Sequence, residues 1–491
     1  MPVLMDSAGK DQFNKLSDDF MLWLKRSSPN FKVHPDIRIT DLRSIGAGRG
    51  ICHLIADAWE LGAVRDIAED EELFVIPEDL ILSVENSKAR EALGLNETQL
   101  GPWLSLIIVM IYEYYQGEQS RWEPYFHILP TSFDTLMFWT EAQLQELQGC
   151  AVVDKIGKSA ADEAILQKVV PLIQANPHHF PARSGMPPLD SNDALLCLAH
   201  RMGSLIMAYA FDIEKTEGAD DDAAEDGYMT DDEDEPAKGM VPLADIFNAD
   251  AQRNNARLFQ EEGSFVMKAI RNIQAGEEIF NDYGELPRAD LLRRYGYVTD
   301  NYAQYDVVEF SLDSICNAAG LPDSHPGPSN PQLELLDNLG LLEDGYSIPR
   351  ISDSESLNDA IPEDFLILLN TLTLPVANLN DLRARNKAPK PEFSAASAAV
   401  LLPLAVQRLC EYPTTIQSDK KMLQCLEQNF NPNDSNSRRM KMAVQVRMGE
   451  KEILAQVLRQ LDTYPMHQGH SGSTKHAMTN DEYTSKRQRQ L

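Results

Sequence analysis

Residues 241–250 read VPLADIFNAD. An apolar, strand-like run delivers Asp245, Asn248 and Asp250 with little room for solvent between them. Polar groups in such a run are paired or functional, because burying an unbonded one costs about 1–3 kcal/mol. Further on, AIRNIQAGEEIFNDYGEL (269–286) reads as a strand, a glycine turn, a second strand, and then Asn281-Asp282-Tyr283-Gly284. Working outward from these two stretches, the question is what a carboxylate, an amide and a tyrosine are placed to hold.

The 491-residue chain is too long for one small core, and two or three domains are expected. Its 43% hydrophobic and 24% charged content are those of a globular protein. No apolar run is long enough to span a membrane. The nearest, WLSLIIVMIYEYYQG (103–117), is interrupted by Glu113 and reads as a buried helix. The N-terminus lacks the basic-then-apolar pattern of a signal peptide. Six cysteines at 52, 150, 197, 316, 410 and 425 form no CxxC and sit at no zinc-ligand spacing from a histidine. They read as reduced core thiols of a nuclear or cytoplasmic protein, with no metal site. The net charge is −32, and the tract EGADDDAAEDGYMTDDEDE (217–235) carries eleven acidic residues and no basic one. The remainder is acidic too, which disfavours direct nucleic-acid binding and favours a basic protein partner.

Phe13, Leu16, Phe20 and Leu24 recur at helical spacing, so residues 11–26 are predicted to form an amphipathic helix. Short strands and turns follow to about residue 84, in DIRITDL, AVRDI, EELFVIP and LILSV. Helical patterns run from about 103 to 212, broken by the proline-rich HHFPARSGMPPL (179–189). The acidic tract reads as a disordered loop. A second strand-rich block spans 241–283. From about 300 the chain turns helical again, its last helix carrying Met440, Val444, Leu454, Val457 and Leu461 as an apolar face. The polar tail beyond is predicted to be disordered, and no internal repeat is present.

IRITDLRSIGAGRGI places glycines at 46, 48 and 50 after a strand. That spacing is not the GxGxxG of a dinucleotide fold, and no parallel βαβ series accompanies it. A plain hairpin turn is the alternative.

Taken together, GAGRG and EDEELFVIP resemble the first motif, and VPLADIFNAD and IFNDYG the last two, of SET-domain protein-lysine methyltransferases. RWEPYFHILP (121–130) and SLIMAYAFDI (204–213) resemble segments of the long-insert subgroup. That subgroup includes the Rubisco large-subunit methyltransferases, the SET-domain-containing protein 6 type and the fungal ribosomal lysine N-methyltransferase 4 type. EYPTTIQSDKKML and RRMKMAVQVRMGEKEIL resemble its helical substrate-binding domain. The resemblance implies an α+β fold: a SET β-fold with a pseudoknot and a long helical insert, followed by an all-α C-terminal domain. It divides the chain into an N-terminal helical segment (1–33), a SET domain (34–284, with the insert at about 88–212 and an acidic loop at 215–239), a substrate-binding domain (300–465) and a disordered tail (466–491). The pseudoknot implies that the stretch around Asn248 lies beside the stretch around Tyr283.

The implied activity is methyl transfer from S-adenosyl-L-methionine to a protein lysine, without metal. Tyr283 matches the catalytic tyrosine. Ala47, Gly48 and Arg49 match a loop that contacts the donor through backbone groups, and Asn248 and Ala249 match the position that holds the donor's amino-acid end. Tyr209 matches a donor-pocket position and Phe211 a lysine-pocket position. Asp245 matches a substrate-side or structural carboxylate, and Tyr295 either a tyrosine near the lysine channel or a core residue on a helix face. Two departures stand out. Ala249 replaces the usual histidine after Asn248, as it tends to in the fungal ribosomal type. The dozen residues ICHLIADAWELG (51–62) intervene where relatives run almost directly on. The implied partner is a basic protein bound by a monomeric enzyme, a 60S ribosomal protein or alternatively a histone. A non-catalytic adaptor for basic proteins is the competing reading. Thr230 precedes four acidic residues, as at an acidophilic-kinase site, and SKRQRQ (485–490) is a short basic run of nuclear-import type.

Overall fold

The computed structural model describes residues 7–42, 48–53, 65–95, 97–181, 186, 189, 191–214, 236–321, 323–352, 354–428, 431 and 434–464. Ala47, most of the 51–62 stretch, the acidic tract with Thr230, and the C-terminal tail lie outside these residues. The chain forms two units, one drawn from 1–137 and 157–284, the other from 138–156 and 285–491. Residues 138–156 fall inside the insert as read from sequence, but they fold with the second unit.

Among its described residues the first unit holds ten short strands: β1 (Lys32–Val33), β2 (Ile37–Asp41), β3 (Arg49–His53), β4 (Glu72–Pro77), β5 (Leu82–Ser83), β6 (Ala210–Ile213), β7 (Ala237–Met240), β8 (Ala256–Glu261), β9 (Ser264–Ala269) and β10 (Glu278–Ile279). They make three small antiparallel sheets, ordered β1-β4-β9-β8, β10-β3-β2 and β5-β7-β6. The glycine loop joins β2 to β3, so the hairpin is present, and β10 pairs with its far strand (Ile279 opposite Ile51). Of the described residues of AVRDI, 65–67, Ile67 forms an isolated bridge to Ile273.

The helix Ser7–Ser27 buries Phe13, Phe20 and Leu24, as its spacing predicts. The apolar helix Glu97–Gln116 kinks where Gly101, at φ 74°, precedes Pro102. Glu113 is buried within it and accepts hydrogen bonds from the hydroxyls of Ser87 and Ser120, both at 2.6 Å. These bonds satisfy the carboxylate that breaks the apolar run. Among the described residues no helix is long and apolar enough to cross a membrane, and no cluster of residues suited to a metal is present. Cys150 and Cys316 are buried and Cys52 is half-buried, but Cys197, Cys410 and Cys425 are exposed and correct the reading of all six as core thiols.

The second unit is mostly helical. It also contains an antiparallel ribbon, β11 (Val307–Ser311) with β12 (Gly345–Pro349), which corrects the all-α expectation. VVEFS and GYSIP are too short to show a period of two against their helical surroundings. The helix Ser435–Thr463 buries Val444, Leu454, Val457 and Leu461, while Met440 is only partly covered. It also buries charged residues. Arg447 and Lys451 both pair with Asp419, the one residue buried by helix Ile416–Gln428, and Arg447 also reaches Glu146 at 2.7 Å. The Asp419, Arg447 and Lys451 side chains are fully enclosed.

Breaking such a group by removing one partner strands the others without water. Asp419→Ala is therefore expected to destabilise the protein by about 3–5 kcal/mol in denaturant unfolding, with Asp419→Asn costing less.

Candidate active site

The two stretches that opened the sequence meet. Ala249 and Asn281 form a parallel bridge. The Asn281 N–H donates to the Asn248 carbonyl at 2.8 Å, and the Asp250 N–H donates to the Asn281 carbonyl at 3.2 Å. Buried Asn255 fixes the second stretch from the side. Its Oδ1 accepts from the Phe280 N–H at 2.8 Å and its Nδ2 donates to the Glu278 carbonyl at 3.1 Å.

Side chains reinforce the crossing. Asn248 Nδ2 donates to Glu278 Oε1 at 2.7 Å. Burial raises the Glu278 carboxyl above its usual range while the Asn248 amide pulls it down. Gly50 of β3 lies directly beneath, where a Cβ would come within 2.8 Å of Asn248 Nδ2 and would also collide with Leu42. Glycine is required there by close approach. At Gly48 a Cβ would meet nothing within 4 Å, so no crowding calls for a small residue at that position. With its Nδ2 committed, half-buried Asn248 retains Oδ1 as an acceptor without a protein partner among the described residues.

Three residues upstream, Asp245 sits in a 3-10 turn, Ala244–Ile246, entered through Leu243 at φ 80°. A left-handed leucine is strained by about 1–3 kcal/mol. Buried Leu243 holds that conformation, and the turn presents Asp245 to a ring of polar groups. The Tyr125 hydroxyl donates to Asp245 Oδ2 at 2.5 Å. Asp245 keeps partial exposure as a residue, yet its Oδ1 is shut off from solvent and has no hydrogen-bond partner. Burial raises the Asp245 carboxyl to about 7, opposed by the Tyr125 hydrogen bond, then by the backbone amides of Asp245 and Leu243, and last by the Arg49 charge. Tyr209, at the end of helix Asn192–Tyr209, faces the same carboxylate, and its hydroxyl is pushed up to about 12 by burial and then by Asp245.

Arg49, Tyr209 and Asp245 thus gather on one side of β3, and Gly50, Asn248, Ala249 and Asn281 on the adjoining side. The Arg49 side chain itself is held away from the crossing, by Ser17 Oγ at 3.2 Å, the Ile128 carbonyl at 3.0 Å and the Phe13 ring at 4.1 Å. Tyr283, half-buried, follows Asn281 by two residues. Phe211 lies in β6 opposite Gly239, packed against the core. Tyr295 belongs to the second unit, where it ends helix Arg288–Tyr295, its ring 6.4 Å from that of Tyr297. Tyr125, Glu278 and Asn255 escape the sequence reading. Each acts on a partner at least 23 residues away, and no spacing signals that.

A SET-domain family profile matches residues 58–284, and one for the Rubisco LSMT substrate-binding region matches 330–454. Residues 58–284 are thus similar to a SET domain. The chain's relatives include ribosomal lysine N-methyltransferase 4 of Saccharomyces cerevisiae, 33% identical over 319 residues, and human N-lysine methyltransferase SETD6, 28% identical over 426 residues. The aligned stretch covers 63% of this chain and 60% of the yeast relative, and 81% and 83% for the human one. The fold matches the SET domain of LSMT solved with lysine and AdoHcy, with a TM-score of 0.64 at 19% identity, covering 92% of this chain and 91% of that one. The crossing of 248–250 with 280–282 is the pairing that the resemblance to a SET pseudoknot implies.

A carboxyl raised in the fold adds stability that is full below its unfolded value near 4 and is lost as pH rises through about 7. Asp245→Asn keeps the shape without the charge. It is expected to melt above wild type at pH 8.5, by the equivalent of about 2–4 kcal/mol, with the gain shrinking as pH falls through about 7 and gone only below about 4 in scanning calorimetry.

Proposed function

We propose that this chain is an S-adenosylmethionine-dependent protein-lysine N-methyltransferase, acting on a basic protein of the large ribosomal subunit. One observation carries the reading. Among the described residues a single short segment leaves two acceptor oxygens without protein partners: Asn248 Oδ1, and the buried Asp245 Oδ1, whose carboxylate meets Tyr125 and Tyr209. Acceptor-only sites lined by aromatic groups suit cations. Both substrates of lysine methylation are cationic: the donor through its ammonium and sulfonium, the acceptor through its side chain.

The residues fit the donor. Asn248 Nδ2 is committed to Glu278, which leaves Oδ1 to accept from the donor's ammonium. When bound, S-adenosylmethionine supplies an electrophilic methyl group. Ala249 contributes backbone, so the loss of a histidine side chain leaves that contact possible. The protein's own task is to present a neutral amine in line. A lysine of ordinary pKa is neutral about once in 2,500 at pH 7, a penalty of about 4.6 kcal/mol. Burial among Tyr209, Phe211 and Tyr283 reduces that penalty by disfavouring the ammonium. Tyr283 orients the amine through its hydroxyl.

The names of the yeast relatives support a ribosomal target, and the net charge of −32 favours any basic partner. Transfer of tritiated methyl to 60S ribosomal proteins is expected for wild type and reduced about 100-fold or more in Tyr283→Phe. Equal labelling by the variant removes Tyr283 from the reaction.

A further inference from the structure

Within the proposed methyltransferase reading, one group has a geometry that the family motifs leave without a task. Tyr125 is fully buried, and its ring lies 6.0 Å from Phe20 and 6.5 Å from Phe126. Its short helix, Glu123–Phe126, is fixed by Trp122, whose indole N–H donates to the Leu80 carbonyl at 2.9 Å. The hydroxyl therefore reaches Asp245 from a rigid mount.

We propose that Tyr125 is a positioning residue for lysine deprotonation: it occupies Asp245 Oδ2, and so aims Oδ1 as the acceptor of the proton that the incoming lysine ammonium must lose. The step balances. An N–H bond of the ammonium breaks and its electron pair stays on nitrogen as the attacking lone pair. An O–H bond forms at Oδ1, and positive and negative charge are both discharged. Asp245 is partly exposed as a residue, and its carboxyl passes the proton to water once product has left.

Three features carry this reading. The unbonded Oδ1 is buried, so it is reserved for a donor that arrives with the substrate. The strained Leu243 backbone holds the carboxylate in place, and such strain concentrates at functional sites. The groups facing Asp245 are also suited to the task. Tyr125 from its helix and Arg49 from β3 both favour the ionised carboxylate. Tyr209, from the end of its own helix, remains a neutral phenol at physiological pH. Tyr125 keeps its proton as well, so it donates to Asp245 across the working range.

The test is the pH dependence of methyl transfer to 60S subunits, with the pH dependence of melting as a readout that needs no substrate. Removing the hydroxyl removes a bond that favours the ionised carboxylate. In Tyr125→Phe the acid limb of kcat/KM is therefore expected to move up by about one pH unit, so that the loss shrinks toward pH 9. In Asp245→Asn the limb should move toward the ionisation of lysine itself, near 10. The melting loss of Tyr125→Phe should be larger at pH 8.5 than at pH 5, because the lost bond is charge-assisted only at the higher value. A limb that stays in place while the plateau falls, or a melting loss equal at both pH values, overturns the proposal and leaves Tyr125 as core packing. A wild type that labels neither 60S subunits nor histones contradicts the proposed function, and the melting comparison then decides the clamp by itself.

Discussion

The site depends on one crossing, where the backbone of 248–250 lies parallel to that of 280–282 and Asn248 is tied to Glu278. Without it, Tyr283 and Asp245 belong to unrelated parts of the chain. The crossing holds because each partner meets an independent constraint. Asn255 braces the second segment, Gly50 removes the side chain that would force the two apart, and Phe74 of the central sheet packs its ring 5.7 Å from that of Phe247. Packing and polar satisfaction therefore converge on the same few residues, and the acceptor oxygens that remain are left over by construction.

Those leftover acceptors carry a cost that the fold absorbs. A buried carboxyl raised to about 7, an unbonded oxygen and a left-handed leucine each detract from stability, and all three lie between Leu243 and Asp245. One buried group of the second unit differs. Asp419, Arg447 and Lys451, with half-buried Glu146, satisfy one another, so their burial serves architecture. The contrast between a completed polar group and an incomplete one separates structural charge from charge set aside for a ligand.

Much of the fold was legible because its signals are local or repeat a known order. The N-terminal helix follows from the spacing of Phe13, Phe20 and Leu24, and the hairpin from the glycines of GAGRG. Asn248 and Tyr283 could be singled out because their motifs are short and contiguous. Tyr125 could not: it lies within a quoted stretch, but its only mark of function is a bond to a residue 120 positions away. The β11–β12 ribbon escaped because five-residue strands flanked by helices show too little periodicity. Three cysteines read as buried are exposed, because cysteine's average preference says little about a particular helix face.

The most direct test of the central claim, that the crossing leaves Asn248 Oδ1 free to hold the methyl donor, is calorimetric titration of S-adenosylmethionine. Asn248→Ala removes that acceptor, and the affinity is predicted to fall by about 10- to 100-fold, the worth of a hydrogen bond to a charged group. An affinity equal to that of a correctly folded wild type would contradict the account.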